Sequence, residues 1–154
     1  VGALIIFERE IALTDIIETG TIVDAEISEQ LIGNIFYEGS PLHDGAAIIR
    51  NGRLYAAGCV LPLTQNKNIS KELGTRHRAG IGITENSDAL VIIVSEETGI
   101  ISMASDGQLS RFLDSKTVEK TLLNMYLGKP EASGTMAVIP RIFNKFRRKK
   151  NAEE

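Results

Sequence analysis

A chain of 154 residues with 43% hydrophobic content is long and apolar enough for one domain with a real core. Its net charge of −3 hides a split: residues 1–140 hold 18 acidic and 11 basic residues, a net of −7, and a basic tail follows, with Arg141, Lys145, Arg147, Arg148, Lys149 and Lys150. The acidic body argues against a broad nucleic-acid surface, the apolar runs are too short for a membrane-spanning helix, and the single cysteine, Cys59, excludes an internal disulfide.

Cys59 lies in an apolar run and reads as a small buried hydrophobe, compatible with a reducing compartment. The basic tail reads as a solvated terminus, with an anionic leaflet or RNA as its functional alternatives. The chain opens on Val1 and enters a strand-like run at once, so the expectation is a domain excised from a longer protein.

In chain order, residues 1–7 read as a buried strand. Ser28 is expected to cap a helix running to Tyr37, with Leu31, Ile32, Ile35 and Phe36 on one apolar face. Residues 39–45 carry Gly, Ser, Pro and Asp and read as a loop. Residues 46–50 and 54–63 read as strands joined at Asn51-Gly52, a pair suited to the positive φ angles of a tight hairpin. Ser70 is expected to cap a helical stretch that continues through residues 75–80, although Gly74, Gly80 and Gly82 argue against one uninterrupted helix. Residues 89–94 form a continuous apolar strand, which residues 100–104 pair after a turn at Glu97-Thr98-Gly99. Ser115 is expected to cap a last helix with Val118, Leu122, Met125 and Tyr126 on one face, ended by Gly128 and Pro130. Residues 135–139 are a further short strand in this reading. The pattern is an α/β fold: a mixed, twisted β-sheet with helices on both sides. Residues 1–128 make the domain, and 129–154 a C-terminal extension.

Three segments place polar residues at strand ends where turn or apolar residues would serve. In Leu42-His43-Asp44-Gly45-Ala46, Asp44 can aim a carboxylate at a ligand, and Gly45 lets a ligand approach the backbone. The plain alternative is an Asp-Gly turn beside a surface histidine. In Gly74-Thr75-Arg76-His77-Arg78, two guanidiniums flank an imidazole after Gly-Thr, which suits polyphosphate binding at a helix start. The alternative is an exposed basic turn, and the Gly-Lys-Ser/Thr ending of a Walker loop is missing. In Ser95-Glu96-Glu97, paired carboxylates can hold a metal ion or a ribose hydroxyl, or simply turn the chain. With one Cys and two His, a structural zinc site is not expected.

The order of these three motifs resembles the diadenylate cyclase domain. The strings Pro41-Leu42-His43-Asp44-Gly45-Ala46 and Ile69-Ser70-Lys71-Glu72-Leu73-Gly74-Thr75-Arg76-His77-Arg78 are similar to its membrane-anchored branch. The resemblance covers about residues 1–125. It implies condensation of two ATP into cyclic di-AMP and two pyrophosphates. By that resemblance Asp44 activates the ribose 3′-hydroxyl, and Arg76, His77 and Arg78 complete the catalytic set. Gly45 packs by the ribose, Leu61 lodges the adenine, and Thr75, Arg76, Ser95 and Glu97 bind the rest of ATP. His43 and Asp44 take a divalent metal, Mn²⁺, Mg²⁺ or Co²⁺. Val60 stands where some members carry an aromatic, so stacking on the adenine is not implied.

The product joins two nucleotides symmetrically, so a catalytic homodimer is expected. The resemblance also implies a cytoplasmic domain anchored in the cell membrane through a segment outside this chain. A regulatory protein and a cell-wall precursor enzyme would be its partners, with no nucleic acid. The alternative function is a catalytically silent module that senses adenine nucleotides through the same motifs.

Overall fold

The computed structural model describes residues 1–127, and the expected strand at 135–139, the helix stop at Gly128 and Pro130 and the basic tail lie outside them. Seven strands and four helices follow in the order β1 (Ala3–Phe7), α1 (Thr14–Ile17), β2 (Thr21–Glu26), α2 (Glu29–Ile35), β3 (Ala46–Arg50), β4 (Arg53–Cys59), α3 (Thr75–Glu85), β5 (Leu90–Val94), β6 (Ile101–Ser105), β7 (Gln108–Leu113) and α4 (Ser115–Leu127). The strands form one sheet in the order β2-β4-β3-β1-β5-β6-β7. Only β1 and β3 pair in parallel; the other neighbours are antiparallel.

The central strands are apolar on both faces because both faces are covered. Every residue of β1 and β5 is buried. Alternate side chains serve two cores, as the two-residue strand period requires. Ile5, Phe7, Ala47, Ile49 and Ile92 meet α2 and α4 through Ile32, Ile35, Val118 and Leu122. Leu4, Ile6, Ile48, Val91 and Ile93 meet α1 and α3 through Ile17, Ala79, Ile81 and Ile83. Helices therefore flank the mixed sheet on both sides, as expected.

The local signals fare unevenly. Ser28 caps α2, its Oγ accepting from the Leu31 N–H at 3.1 Å, although the helix stops at Ile35. Asn51 and Gly52 have φ of 51° and 74°, the left-handed pair of a tight hairpin. At the last helix the cap is Asp114, not Ser115: its Oδ1 accepts from the Thr117 N–H at 2.8 Å, and Ser115 is the first helical residue. Ser70 caps no helix, because its Oγ and carbonyl accept from Glu72 and Leu73 in a single turn and α3 begins at Thr75. Beyond that point α3 runs unbroken through Gly80 and Gly82 to Glu85. A Cβ on Gly82 would run into the Pro62 carbonyl and one on Gly80 into the Ile93 side chain, so these glycines are where the helix packs closest. The strand expected over 54–63 ends at Cys59, and α1, β2 and β7 were not anticipated.

Candidate functional site

Strand register alone gathers the site. Ala3 pairs with Val94 and Ile5 with Ala47, so the start of β1, the start of β3 and the end of β5 lie at one end of the strands. Ala46 pairs with Cys59, which brings the end of β4 to the same end. Val94 pairs with Ile101 and Ile101 with Leu113, which adds the end of β7. The N-terminus of α3 opens there too, and a cleft of about 710 Å³ lies between these ends. That volume is ample for a nucleotide-sized ligand.

Asp44, Gly45, Leu61, Thr75, Arg76, His77, Ser95 and Glu97 all line this cleft, although they come from four separate stretches of chain. His43 and Arg78 do not line it. Arg78 enters instead through its backbone: its carbonyl accepts from the Thr64 N–H at 3.1 Å. At the other end of that segment the Val60 N–H donates to Thr19 Oγ1 at 2.8 Å. These two bonds tether the Val60–Leu61 wall, where Leu61 is buried and Val60 exposed.

Gly45 has φ of +134°, and a Cβ there would lie 2.8 Å from the Gly58 carbonyl carbon. The residue is therefore fixed first by its own conformation and by the neighbouring strand, whatever it offers a ligand. Asp44 precedes it on the rim, with its side chain 86% exposed. His43 Nδ1 lies 2.6 Å from the Ser40 carbonyl oxygen. A carbonyl only accepts, so Nδ1 carries the proton, and in the neutral ring Nε2 presents a lone pair. That Nε2 stands 3.5 Å from Asp44 Oδ1.

On the opposite wall the first turn of α3 presents the N–H groups of Thr75, Arg76 and His77. They precede the first intrahelical bond, from Arg78 to the Gly74 carbonyl, and have no acceptor within the helix. The positive end of the helix dipole and these donors favour an anion. Arg76 Nη1 donates to Glu96 Oε2 at 3.0 Å, and a Cβ on Gly2 would come within 2.8 Å of the guanidinium carbon. Gly2 and Glu96 thus hold Arg76 in place; the sequence reading has no role for Gly2, and offers Glu96 to a metal or ribose rather than to Arg76. His77 is buried and its Nε2 finds no partner. Burial, then the positive charges of Arg111 and Arg76, hold its pKa below the ordinary imidazole value, so the ring is neutral near pH 7. Burial pushes the Cys59 thiol up to about 11, which leaves this cleft-lining sulfur protonated and unreactive.

No group of three or more His, Cys, Asp or Glu side chains able to hold a metal ion occurs among the described residues. The pair of His43 and Asp44 still fits a divalent cation that draws its remaining ligands from substrate phosphates and water. Two acceptors facing each other at 3.5 Å repel unless a cation or proton lies between them. The Nδ1–H bond to a carbonyl is also the usual support of a ligating histidine.

Residues 1–109 match the family described as DisA bacterial checkpoint controller nucleotide-binding, and the chain belongs to that family. It is 50% identical over 122 residues to the cyclic di-AMP synthase CdaA of Bacillus subtilis, covering 79% of this chain and 45% of that protein. To a diadenylate cyclase of Listeria monocytogenes it is 44% identical over 147 residues, covering 96% of this chain and 52% of that one. The crystal structure of a double mutant of DacA from Staphylococcus aureus superposes with a TM-score of 0.79 at 50% identity, covering 80% of this chain and 83% of that one. A crystal structure of a hypothetical membrane spanning protein from Bacillus cereus gives 0.70 at 48% identity, covering 73% and 55%. The chain spans about half the length of the curated relatives it matches. Among the described residues no helix is long and apolar enough to cross a membrane.

Proposed function

We propose that this chain is a diadenylate cyclase domain, which condenses two ATP into cyclic di-AMP with release of two pyrophosphates. The observation that carries the reading is the meeting of Asp44-Gly45, Thr75–His77 and Ser95–Glu97 around one nucleotide-sized cleft. Relatives named for that activity support it.

In each half-reaction the ribose 3′-oxygen forms a bond to the α-phosphorus of the facing ATP, and the bond from that phosphorus to the bridging oxygen breaks. Pyrophosphate takes the electron pair. Asp44 orients the 3′-hydroxyl and receives its proton. Leu61 and Val60 form the apolar wall for the adenine. Thr75, the free N–H groups of α3 and Ser95 bind phosphate oxygens, a task that is mainly positioning and charge compensation. His43 and Asp44 would hold Mn²⁺, Mg²⁺ or Co²⁺, which neutralises charge on the phosphates when bound. One imidazole nitrogen in that set favours Co²⁺ and Mn²⁺ over Mg²⁺.

Because the product carries two equivalent links, two clefts must face each other across a twofold axis, so the working unit is a homodimer. The full-length protein is anchored in the cell membrane outside this domain, which then works on its cytoplasmic side; the likeness to a membrane spanning protein supports that. A regulatory protein and a cell-wall precursor enzyme as partners belong to the same proposal.

The test is incubation with ATP and each metal, with chromatographic detection of cyclic di-AMP. Asp44→Asn should lower turnover by about 10³-fold or more while a non-hydrolysable ATP analogue binds within a few-fold of wild type. Near-normal turnover in that variant would remove Asp44 from its role. ATP binding without any cyclic di-AMP from the wild type would leave the silent sensing module as the function.

A further inference from the structure

Arg111 lies outside all three motif segments and two positions beyond the 109 residues matched to the family. It sits on β7, at the edge of the sheet, and its side chain lines the cleft. Besides the protonated Cys59, the ionisable side chains of that lining are Asp44, Glu72, Glu96, Glu97, Arg76, His77 and Arg111. Four carboxylates against two guanidiniums would repel a nucleoside triphosphate, so each cation's commitment matters. Arg76 is already paired with Glu96 at 3.0 Å. His77 is neutral, as its burial requires. Among the described residues no carboxylate forms an ion pair with Arg111, and its buried Nε donates to no acceptor. A buried guanidinium nitrogen without an acceptor is costly unless something supplies one.

The backbone beside it is also set for a purpose. Phe112 has φ of +59° and is 71% exposed, an unusual conformation for a bulky residue with no core to fill. The register of β7 against β6 shifts in the same place, between the pairs of Ile101 and Met103. Neighbouring side chains of a regular strand point to opposite faces. Here the left-handed residue brings the Phe112 ring onto the Arg111 guanidinium, 4.9 Å from ring centroid to Cζ. Bulges next to functional sites commonly re-aim a side chain in this way. The ring covers one face of the guanidinium and leaves its forked edge free.

We propose that Arg111 is a further substrate-binding residue of this cleft, donating to polyphosphate oxygens of the bound nucleotide, with Phe112 as its positioning residue. The inference rests on the ATP reading above. Titration calorimetry on wild type, Arg111→Gln and Arg111→Lys, with a non-hydrolysable ATP analogue and with AMP, tests it. Arg111→Gln should weaken the analogue by about 10- to 100-fold, the span of a charge-assisted, forked contact. AMP, with one phosphate, should weaken by less than about threefold, because the lost attraction scales with the polyphosphate charge. Arg111→Lys keeps the charge without the fork and should fall between. It also serves as the readout if Arg111→Gln does not fold. A merely structural role would weaken AMP and the analogue alike. Such an equal loss, or unchanged affinity for the analogue, overturns the Arg111 assignment and leaves the ATP reading standing. If the wild type itself fails to bind the analogue, both fall.

Discussion

Gly45→Ala isolates what the Asp44-Gly45 pair costs the fold before any ligand is considered. Two penalties act at this position. At φ of +134° an L residue is strained, which costs about 1–3 kcal/mol. The new Cβ would also lie 2.8 Å from the Gly58 carbonyl carbon and 2.9 Å from the Cys59 carbonyl oxygen. Both are main-chain atoms of the strand that pairs with β3, so no side chain can swing aside. Overpacking of that kind costs about 1–3 kcal/mol more. One backbone shift relieves part of both, so we expect a total of about 2–4 kcal/mol. With a urea slope of about 1.5–2 kcal/mol per molar, the midpoint should fall by about 1–2.5 M. Gly39→Ala is the control, because Gly39 has φ of +93° but nothing within 4 Å of its missing Cβ. It carries the conformational penalty alone. Urea unfolding followed by far-ultraviolet circular dichroism compares the two. If Gly45→Ala costs no more than Gly39→Ala, the close approach of β4 is not what selects glycine, and the steric argument fails.

Two further predictions concern ionisation. His77 is held below the ordinary imidazole value by burial and then by Arg111 and Arg76, so the unfolded chain binds a proton that the folded chain refuses. Stability should therefore fall as pH drops through about 6.5 and level off below the folded pKa, and His77→Asn should flatten that part of the profile; equal slopes in both proteins would contradict it. Burial alone would raise the pKa of Glu8, but the hydrogen bonds from Arg50 and Leu13 outweigh it and the net shift is downward. Its contribution is present above about pH 4.3 and lost as pH falls through the lower folded value, so Glu8→Gln should cost about 1.5–3 kcal/mol at pH 7, and the gap to wild type should narrow steadily as urea titrations are taken to acid pH.

The central sheet was legible because burial on both faces writes uninterrupted apolar runs, as in Leu90–Val94. The edge strands were not, since their half-exposed residues alternate weakly and resemble loop. Asp106-Gly107 carries the same hairpin signal as Asn51-Gly52, and both residues have positive φ. Taken with the alternation of Gln108–Leu113, that pair points to β7 and hence to Arg111. The unbroken run of α3 defied propensity, because Gly80 and Gly82 weaken a free helix yet permit its contact with β5 and the Pro62 backbone. Within the site, the three motifs marked about half of the cleft's lining, including Asp44, Thr75, Arg76, His77 and Ser95. The sequence could not say which of two adjacent carboxylates meets Arg76; it is Glu96, not the expected ligand-binding Glu97. Nor could it show that the Arg78 carbonyl accepts from the Thr64 N–H, or that Gly2 makes room for a guanidinium.

The exposure of Asp44 bears on how the proposed reaction is divided between two copies. Its side chain is 86% exposed, while Leu61 and His77 in the same cleft are 8% and 7% exposed. A carboxylate that served chemistry within one cleft would be expected on its dry floor. In the proposed reaction the hydroxyl beside one Asp44 attacks a phosphorus held in the facing cleft, so the proton acceptor belongs on the rim where two clefts meet. Water is then displaced from Asp44 by the second copy and its nucleotide rather than by this chain's own packing. Binding and turnover should consequently separate on dilution. Each cleft should keep its affinity for a non-hydrolysable ATP analogue as the dimer dissociates, while cyclic di-AMP formed per subunit falls in proportion to the dimer remaining. Specific activity measured across the dissociation range, with sedimentation to locate that range, decides the point. A flat specific activity would mean that one subunit completes the site, and the exposure of Asp44 would need another cause.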